Sequence, residues 1–356
     1  MSEEIREYIY STFGERYFAK GEEDGVPAMA QNRRRVVSIF ILRETIAPMI
    51  DRSDDPEASI SFVIRMGPEQ EKEVIEIPAR KFKSKEKLMG LKLCRAFKVI
   101  DPQYEYNSVR SISYLANPNS VIFGDSVVEG GDAGQAMLPS RILYSSSYSI
   151  RGRSEITKQL THNSLSEMGT MWDRAKGENR TSLFNTEYII PGVFFPSFIT
   201  MINPTPESLV HVLLCLKERS YGAQTSITGP NIKNSIIAIH SGEEELPITS
   251  YTVSRSFDVN GDQDPAKLKE SIIKFVVEKM NNEHSGKVVA GSEIEEFLSR
   301  VDRLSNEDLQ SIYNKLKADS QDLVKYAKIL SEDRKKKPSL KKKGEEKEEE
   351  EENESL

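Results

Sequence analysis

The chain has 356 residues, 37% of them hydrophobic and 29% charged, which indicates a globular protein with a sizeable core and no membrane-spanning helix. Its 49 basic and 56 acidic residues give a net charge of −7, which on its own argues against a nucleic-acid-binding protein. With only two cysteines and an acidic N-terminus, the sequence predicts neither a disulfide framework nor export, and we expect a cytoplasmic protein.

The charge is distributed unevenly along the chain. Residues 31–240 contain 26 basic and 22 acidic residues, a net +4, whereas residues 1–30 and 241–333 carry −4 and −7. Within the basic part, residues 78–98 combine eight Lys and Arg with one acid, Glu86. This segment suits an anion, although a solvated, lysine-rich surface loop would have the same composition.

The first clear element is an apolar, β-branched run over residues 36–48, which predicts a central strand buried on both faces. Short strands (SFVIRM and EVIEIPA) and the basic segment follow, and we interpret this irregular part of the chain as insertions on the core. A second strand is predicted over residues 188–202, where two prolines favour an edge position or bulges.

Thr205 and Pro206 are typical of a helix start, and the helix that they begin is followed by a buried strand over residues 235–240. This order of elements predicts an α+β fold. The core, within residues 31–260, would be an RRM-like (ferredoxin-like) sheet carrying long insertions, preceded by an N-terminal segment over residues 1–30.

The C-terminal part predicts a helical region over residues 264–333, with expected N-caps at Asp264, Ser292 and Ser305. Residues 334–356 form a basic block followed by an acidic block with almost no apolar content. Such a composition predicts a disordered, charged tail.

Catalytic motifs are nearly absent from the sequence, and the four histidines have no ligand spacing. Two of them, His211 and His240, are expected to be structural. Asp51, Asp54 and Asp55 follow the central strand and would suit magnesium, although acidic turn residues are more often simply solvated.

Two polar regions are better candidates for binding. The segment SYGAQTSITGPNIKN, residues 220–234, offers many short hydrogen-bonding side chains and suits a phosphate backbone. Residues 140–151 and 160–172 combine cations with aromatic rings, as sequence-independent single-strand binding requires, although some of those rings are expected to be core residues.

Five segments, VVSIFILRETIAP, VIFGDSVVEGG, SRILYSSSYSIR, LTHNSLSEMGTMW and SYGAQTSITGPNIKN, resemble the type I-D CRISPR-associated backbone protein, the Csc-two branch of the Cas seven family. The resemblance spans roughly residues 33–255. It implies an RRM-like core with lid-like and helical insertions, which we assign to residues 50–140 (lid or insertion region) and 150–185 (helical insertion). It also implies that several copies polymerise along a crRNA within an antiviral, Cascade-like complex. The implied partners are single-stranded RNA, other copies of the chain, other type I-D subunits, and target DNA through the guide.

The resemblance and the polar regions together give a set of candidate RNA-binding residues. They are Arg43, Lys81, Lys83, Lys85, Arg141, Arg151, Lys158, His162, Asn163, Trp172, Arg219, Tyr221, Gln224, Thr225, Ser226, Thr228, Asn231 and Lys233.

Two further implications of the resemblance concern metals. Some family members carry a cysteine-rich zinc insertion, but residues 94–123 offer only Cys94, so we expect no zinc and no other cofactor. Related backbone subunits of type III complexes cut target RNA with an aspartate after the first strand. The alternative function is therefore a magnesium-dependent nuclease that uses Asp51, Asp54 or Asp55.

Overall fold

The computed structural model describes residues 2–52, 60–66, 71–127, 137–162, 170–173, 177–179, 184–257, 264–282 and 285–336. The helices in these ranges are α1 (Ser2–Phe13), α2 (Ala79–Ala96), α3 (Pro118–Phe123), α4 (Arg153–Ile156), α5 (Pro206–Cys215), α6 (Thr225–Thr228), α7 (Ser250–Arg255), α8 (Pro265–Asn282), α9 (Ser292–Asp302) and α10 (Asn306–Lys336). Among these helices, none combines the length and apolar character that crossing a membrane requires.

The strands in the same ranges are β1 (Val36–Thr45), β2 (Phe62–Met66), β3 (Glu71–Ile77), β4 (Asp125–Ser126), β5 (Met137–Leu138), β6 (Ile142–Tyr144), β7 (Ser147–Tyr148), β8 (Thr157–His162), β9 (Trp172–Asp173), β10 (Glu178–Asn179), β11 (Phe184–Ile189), β12 (Phe194–Ile202), β13 (Ile232–Gly242) and β14 (Lys287–Ala290). Short 3-10 helices lie at Glu15–Tyr17, Ala28–Ala30 and Ile112–Leu115.

The main sheet is antiparallel and has the strand order β14-β13-β1-β12-β6. Strand β1 lies at its centre and is buried from Val36 to Arg43, as expected for an apolar run covered on both faces. The predicted central strand is thus confirmed.

The strand predicted over residues 188–202, at an edge position or with bulges, is divided: residues 188–189 end β11, and β12 begins at Phe194. Strand β12 does not lie at an edge. It pairs with β1 along its whole length and with β6 at Ile199–Met201, so it is an interior strand of the sheet. Pro196 lies in the part of β12 that pairs with β1 but not with β6, where fewer backbone hydrogen bonds are required of it.

Two helices, α2 and α5, complete an RRM-like core. The chain runs from β1 through α2 to β6, then through β12 and α5 to β13, and α2 packs against both α5 and β6. The expectation that residues 50–140 are wholly an insertion is therefore wrong for α2. Its buried stripe includes Phe82, Glu86, Gly90 and Cys94, which are spaced four residues apart.

The expected helical insertion over residues 150–185 is also wrong in its described part. This part contains one short helix, α4, and otherwise forms the two-stranded β8/β11 ribbon and the small β9/β10 pair. The ribbon strands, TKQLTH and FNTEYI, are rich in Thr and aromatic residues, which favour extended backbone over helix.

The C-terminal helices follow the prediction more closely. Asp264 and Ser305 accept hydrogen bonds from the first turns of α8 and α10, which confirms them as N-caps. Ser292 is instead the first residue of α9, after Gly291. Strand β14 was not predicted and extends the main sheet beside β13. The predicted tail begins within α10, and its residues 337–356 lie outside the described part.

Candidate nucleic-acid interface

The predicted binding segments meet where the chain leaves β1. Met49 forms an antiparallel bridge with Ile189 of β11, and Ile50 forms one with Ala223. These bridges connect the base of the β8/β11 ribbon to Met49, and the loop after α5 to the next residue, Ile50. We call the region the β1-end surface: residues 45–52, the first turn of α2, the ribbon base and the polar loop, residues 220–234.

The base of the polar loop has a fixed geometry. The backbone N–H of Tyr221 donates to Asn231 Oδ1 (3.0 Å), and Asn231 Nδ2 donates to the Tyr221 carbonyl (2.9 Å). Gly222 adopts φ +77°, and a Cβ there would lie 2.4 Å from the carbonyl oxygen of Ile50. Only glycine permits this approach of the loop to the end of β1.

The outer part of the polar loop presents short polar groups to solvent. Ser226 and Lys233 are exposed, and Gln224, Thr225 and Thr228 are half-buried around the short helix α6. Hydroxyl groups and backbone N–H groups on a fixed loop are suited to contact phosphate oxygens. Asn231 is fully buried and holds the loop base, so we no longer count it among the candidate RNA contacts.

Arg43 and Tyr221, both predicted RNA contacts, lie in the interior. Arg43 is 0% exposed, and its Nη1 lies 2.7 Å from Oε1 of Glu86, which also accepts from the Tyr221 hydroxyl (2.9 Å). The other Glu86 oxygen accepts from the Tyr144 hydroxyl (2.5 Å). Since these side chains hold one another beneath the surface, they are removed from the set of direct contacts.

The charges in this cluster stabilise each other. Burial opposes the charge on Arg43, but Glu86 together with Tyr221 and Tyr144 outweighs burial and raises the pKa of Arg43. Burial, reinforced by Glu86, raises the pKa of Tyr221 and Tyr144 well above the usual tyrosine value. Both hydroxyls therefore stay protonated and act as hydrogen-bond donors to the carboxylate.

Sequence reasoning missed Glu86 as a functional candidate, counting it only as one negative charge among eight positive ones. A signal was present, because Glu86 lies four residues after Phe82 and four before Gly90, on the buried stripe of α2. An acid at such a position must be paired if it is to be buried.

The acidic cluster after β1 is only partly described, since Asp54 and Asp55 lie outside the described residues. Asp51 is 1% exposed, and its Oδ1 accepts from Lys81 Nζ (2.8 Å), while Oδ2 has no hydrogen-bond partner among the described residues. Burial raises the pKa of Asp51, although Lys81 opposes the shift. Asp51 is thus no solvated turn residue, because its buried carboxylate is paired with the Lys81 ammonium group.

The other predicted cations differ in their surroundings. Lys83 is half-buried and donates to Ser140 Oγ (2.8 Å), and burial together with Lys87 lowers its pKa. Arg141 is half-buried next to β6, and burial lowers its pKa to about 10. Lys85 is half-buried on α2, and Arg219 is exposed at the start of the polar loop.

The segment over residues 150–185 contributes a further set of candidates. Lys158 is exposed near the ribbon base, opposite Tyr188, and Trp172 on β9 is 48% exposed. Arg151 is half-buried ahead of α4. His162 ends β8, but its side chain, like the whole of Asn163, lies outside the described residues.

The described residues do not fit the zinc site that the resemblance raised. Cys94 and Cys215 are free, buried thiols of α2 and α5, and burial raises the pKa of Cys94 to about 12. Within the described ranges, no three His, Cys, Asp or Glu side chains are grouped to hold a metal ion.

A family model described as Csc2 Crispr matches residues 26–349 of the sequence. The chain belongs to the Csc2 family of CRISPR proteins. Csc2 of Thermofilum pendens has the same fold, with a TM-score of 0.61 at 15% identity, and the match covers 88% of this chain and 95% of that chain. The family resemblance stated from the sequence motifs is therefore confirmed.

Two more distant structures are also similar to this Csc2-family chain. A chain of a "CRISPR RNA-guided surveillance complex, pre-nicking" matches with a TM-score of 0.48 and 9% identity, covering 71% of this chain and 90% of that one. A chain of a "Type IV-B CRISPR Complex" matches with a TM-score of 0.40 and 12% identity, covering 56% and 90%. A search of curated proteins found no match.

Proposed function

We propose that this chain is a crRNA-binding backbone subunit of a type I-D CRISPR effector complex. In this proposal several copies polymerise along the guide RNA, bind it without sequence preference, and leave its bases free to pair with target DNA. The observation that carries the proposal is that, in a Csc2-family chain, the polar loop, the basic helix α2 and the β8/β11 ribbon converge on the β1-end surface.

The chemistry of this surface suits an RNA backbone better than a set of bases. Lys158 and Lys233 are exposed on the ribbon and on the loop side of β13, where they can attract phosphates. The polar loop also offers the exposed Ser226 and the half-buried Thr225 and Thr228 hydroxyls. Such contacts fix the register of a strand without reading its sequence.

The proposal is tested by reversing the two exposed lysines, in the variant Lys158→Glu/Lys233→Glu. We expect single-stranded RNA to bind more weakly, and the slope of log affinity against log salt to be shallower by about 1.4, because each phosphate that a cation neutralises accounts for ~0.7 on a single strand. The measurement is fluorescence anisotropy of a labelled RNA between low and moderate salt.

The matched control is Arg303→Glu/Lys325→Glu. It reverses two exposed cations, Arg303 at the C-terminal end of α9 and Lys325 within α10. This control should bind RNA like the wild type at moderate salt. Equal weakening by both variants would mean that only net charge matters and that the β1-end surface is the wrong one.

The nuclease alternative gains no support from the described residues. Asp51 is buried and paired with Lys81, and nothing groups it with two further metal ligands among the residues described. We therefore propose binding and scaffolding alone, with sequence-independent affinity for single-stranded RNA as its measurable property.

A further inference from the structure

We infer that the buried Arg43–Glu86 pair is a positioning device for RNA binding, which holds the polar loop in one conformation at the β1-end surface. This inference rests on the proposed RNA-binding function and adds a role for side chains that do not themselves reach the surface. Arg43, Glu86 and Tyr221 are positioning residues in this sense.

The pair joins strands and a helix that are distant in sequence. Arg43 of β1 donates from Nη1 to Glu86 of α2 (2.7 Å) and to Asn234 Oδ1 of β13 (2.9 Å), and from Nε to Ser197 Oγ of β12 (3.0 Å). The guanidinium also lies 4.0 Å from the centre of the Phe82 ring, within the range of a cation–π interaction. Arg43 is therefore fixed from four sides.

Both ends of the polar loop are attached to this pair. At its start, the Tyr221 hydroxyl donates to Glu86 Oε1 (2.9 Å). At its end, Asn234 accepts from Arg43, and its Nδ2 donates to the Tyr221 hydroxyl (2.8 Å) and to the carbonyl groups of Leu216 (2.9 Å) and Glu218 (3.1 Å). Both ends of the chain segment from Tyr221 to Asn234 are therefore hydrogen-bonded to the buried Arg43–Glu86 pair.

Stability alone is a poor explanation for an ion pair at this position. Burying two charges costs desolvation free energy, and well-packed apolar residues often replace such pairs without loss of stability. In addition, Arg43 Nη2 is buried without a hydrogen-bond partner among the described residues. Apolar side chains could fill the same space, but they could not accept from Tyr221 and donate to Asn234, and so could not orient the loop.

The test separates positioning from stability with the double variant Arg43→Met/Glu86→Leu. It removes both charges together, so no unpaired charge is left in the core. We expect a folded protein whose thermal midpoint is lowered, because the buried Tyr144 and Tyr221 hydroxyls lose their acceptor, but stays well above the temperature of the binding assay. Its RNA affinity should be about tenfold weaker, as expected when one charge-assisted hydrogen bond to the RNA no longer forms. The salt slope should also become shallower by ~0.7 for a phosphate that Lys233 of the loop no longer neutralises.

A second, smaller change covers the case in which the double variant does not fold. Tyr221→Phe removes only the hydroxyl and leaves Glu86 with Arg43 and Tyr144 as donors. It should keep the wild-type fold by circular dichroism and still bind RNA more weakly than the wild type. Unchanged affinity in this folded variant would overturn the inference.

The matched control is Arg6→Met/Glu207→Leu, which removes the 2.8 Å ion pair between α1 and the first turn of α5. It should retain wild-type affinity and salt slope. If Arg43→Met/Glu86→Leu also binds like the wild type, positioning is excluded while the proposed function stands. If the wild type itself does not bind RNA, the proposed function fails, and the inference fails with it.

Discussion

At the scale of single residues, His211 shows how burial determines the charge of a side chain. The ring is completely buried between α5 and α10, with Nδ1 2.9 Å from the Tyr313 hydroxyl and Nε2 3.6 Å from Cys215 Sγ. Burial lowers the pKa of His211 to about 3. The imidazole is therefore neutral and structural, as the sequence predicted from its position in the helix.

This shift predicts a pH dependence of folding. The pKa of His211 in the folded protein lies below the unfolded value of about 6.5, so below that pH only the unfolded chain takes up the proton. The unfolding free energy is therefore fully present above pH ~6.5 and falls by about 1.4 kcal/mol for each pH unit below it. Between pH 7 and pH 5, the wild type should lose about 2 kcal/mol of unfolding free energy that His211→Gln does not lose. Urea denaturation of both proteins checks this, and parallel pH profiles would contradict it.

Gly222 gives a second residue-scale prediction, because it combines a positive φ with a close approach. Gly222→Ala should lower the unfolding free energy by about 2 kcal/mol and weaken RNA binding, since the loop must move away from Ile50. Gly229→Ala is the control: it has φ +63° but nothing within 4 Å of its Cβ position. Equal destabilisation in the two variants, by urea denaturation, would show that φ alone accounts for the effect.

At the scale of elements, α2 marks the boundary of what the sequence could predict. Its seven cations resembled a solvated loop, while the spacing of Phe82, Gly90 and Cys94 already indicated a helix with one buried face. What the pattern could not show is that this face meets α5 and the sheet. That arrangement depends on contacts such as Arg43 with Glu86, which join residues 43 positions apart.

The caps of the C-terminal helices show the same limit. Serine three residues before an acid predicted capping boxes at Ser292 and Ser305, but only Ser305 forms one. Its Oγ accepts from the Asp308 backbone N–H (3.1 Å), and its own N–H donates to Asp308 Oδ2 (3.2 Å). At the other site, Gly291 with φ +60° takes the cap position, which the motif alone does not reveal.

These two serines form a matched pair for an element-scale prediction. Ser305→Ala should cost about 1 kcal/mol of unfolding free energy, because α10 loses its N-cap. Ser292→Ala should stay within about 0.5 kcal/mol of the wild type, since its side chain caps nothing. Chemical denaturation measures both, and a larger loss for Ser292→Ala would contradict the assignment of the two caps.

At the scale of the whole molecule, the sequence predicted the two strands β1 and β13 of the core sheet better than it predicted the insertions. Strands β1 and β13 are apolar enough to be recognised alone, and the helix start at Thr205 has an unambiguous cap. The β8/β11 ribbon was predicted as helical because its polar, Thr-rich strands bury no continuous face and thus show no clear period.

The distribution of charge is also a property of the whole molecule. The net −7 argued against nucleic acid, yet the acidic excess lies in residues 1–30 and 241–333, which form α1 and most of the C-terminal helices. The RRM-like core between them carries the positive charge. The acidic parts are therefore candidates for contacts with neighbouring proteins, or for limiting indiscriminate binding of RNA.

In the proposed function, the β1-end surface binds single-stranded RNA through the sugar–phosphate backbone of the RNA. The most direct measurement is the affinity of the full chain for two unrelated RNA sequences of equal length, across a range of salt concentrations. We expect equal affinities that fall linearly with log salt concentration, with the same slope for both RNAs. A strong preference for one sequence, an affinity insensitive to salt, or no binding at all would contradict this claim.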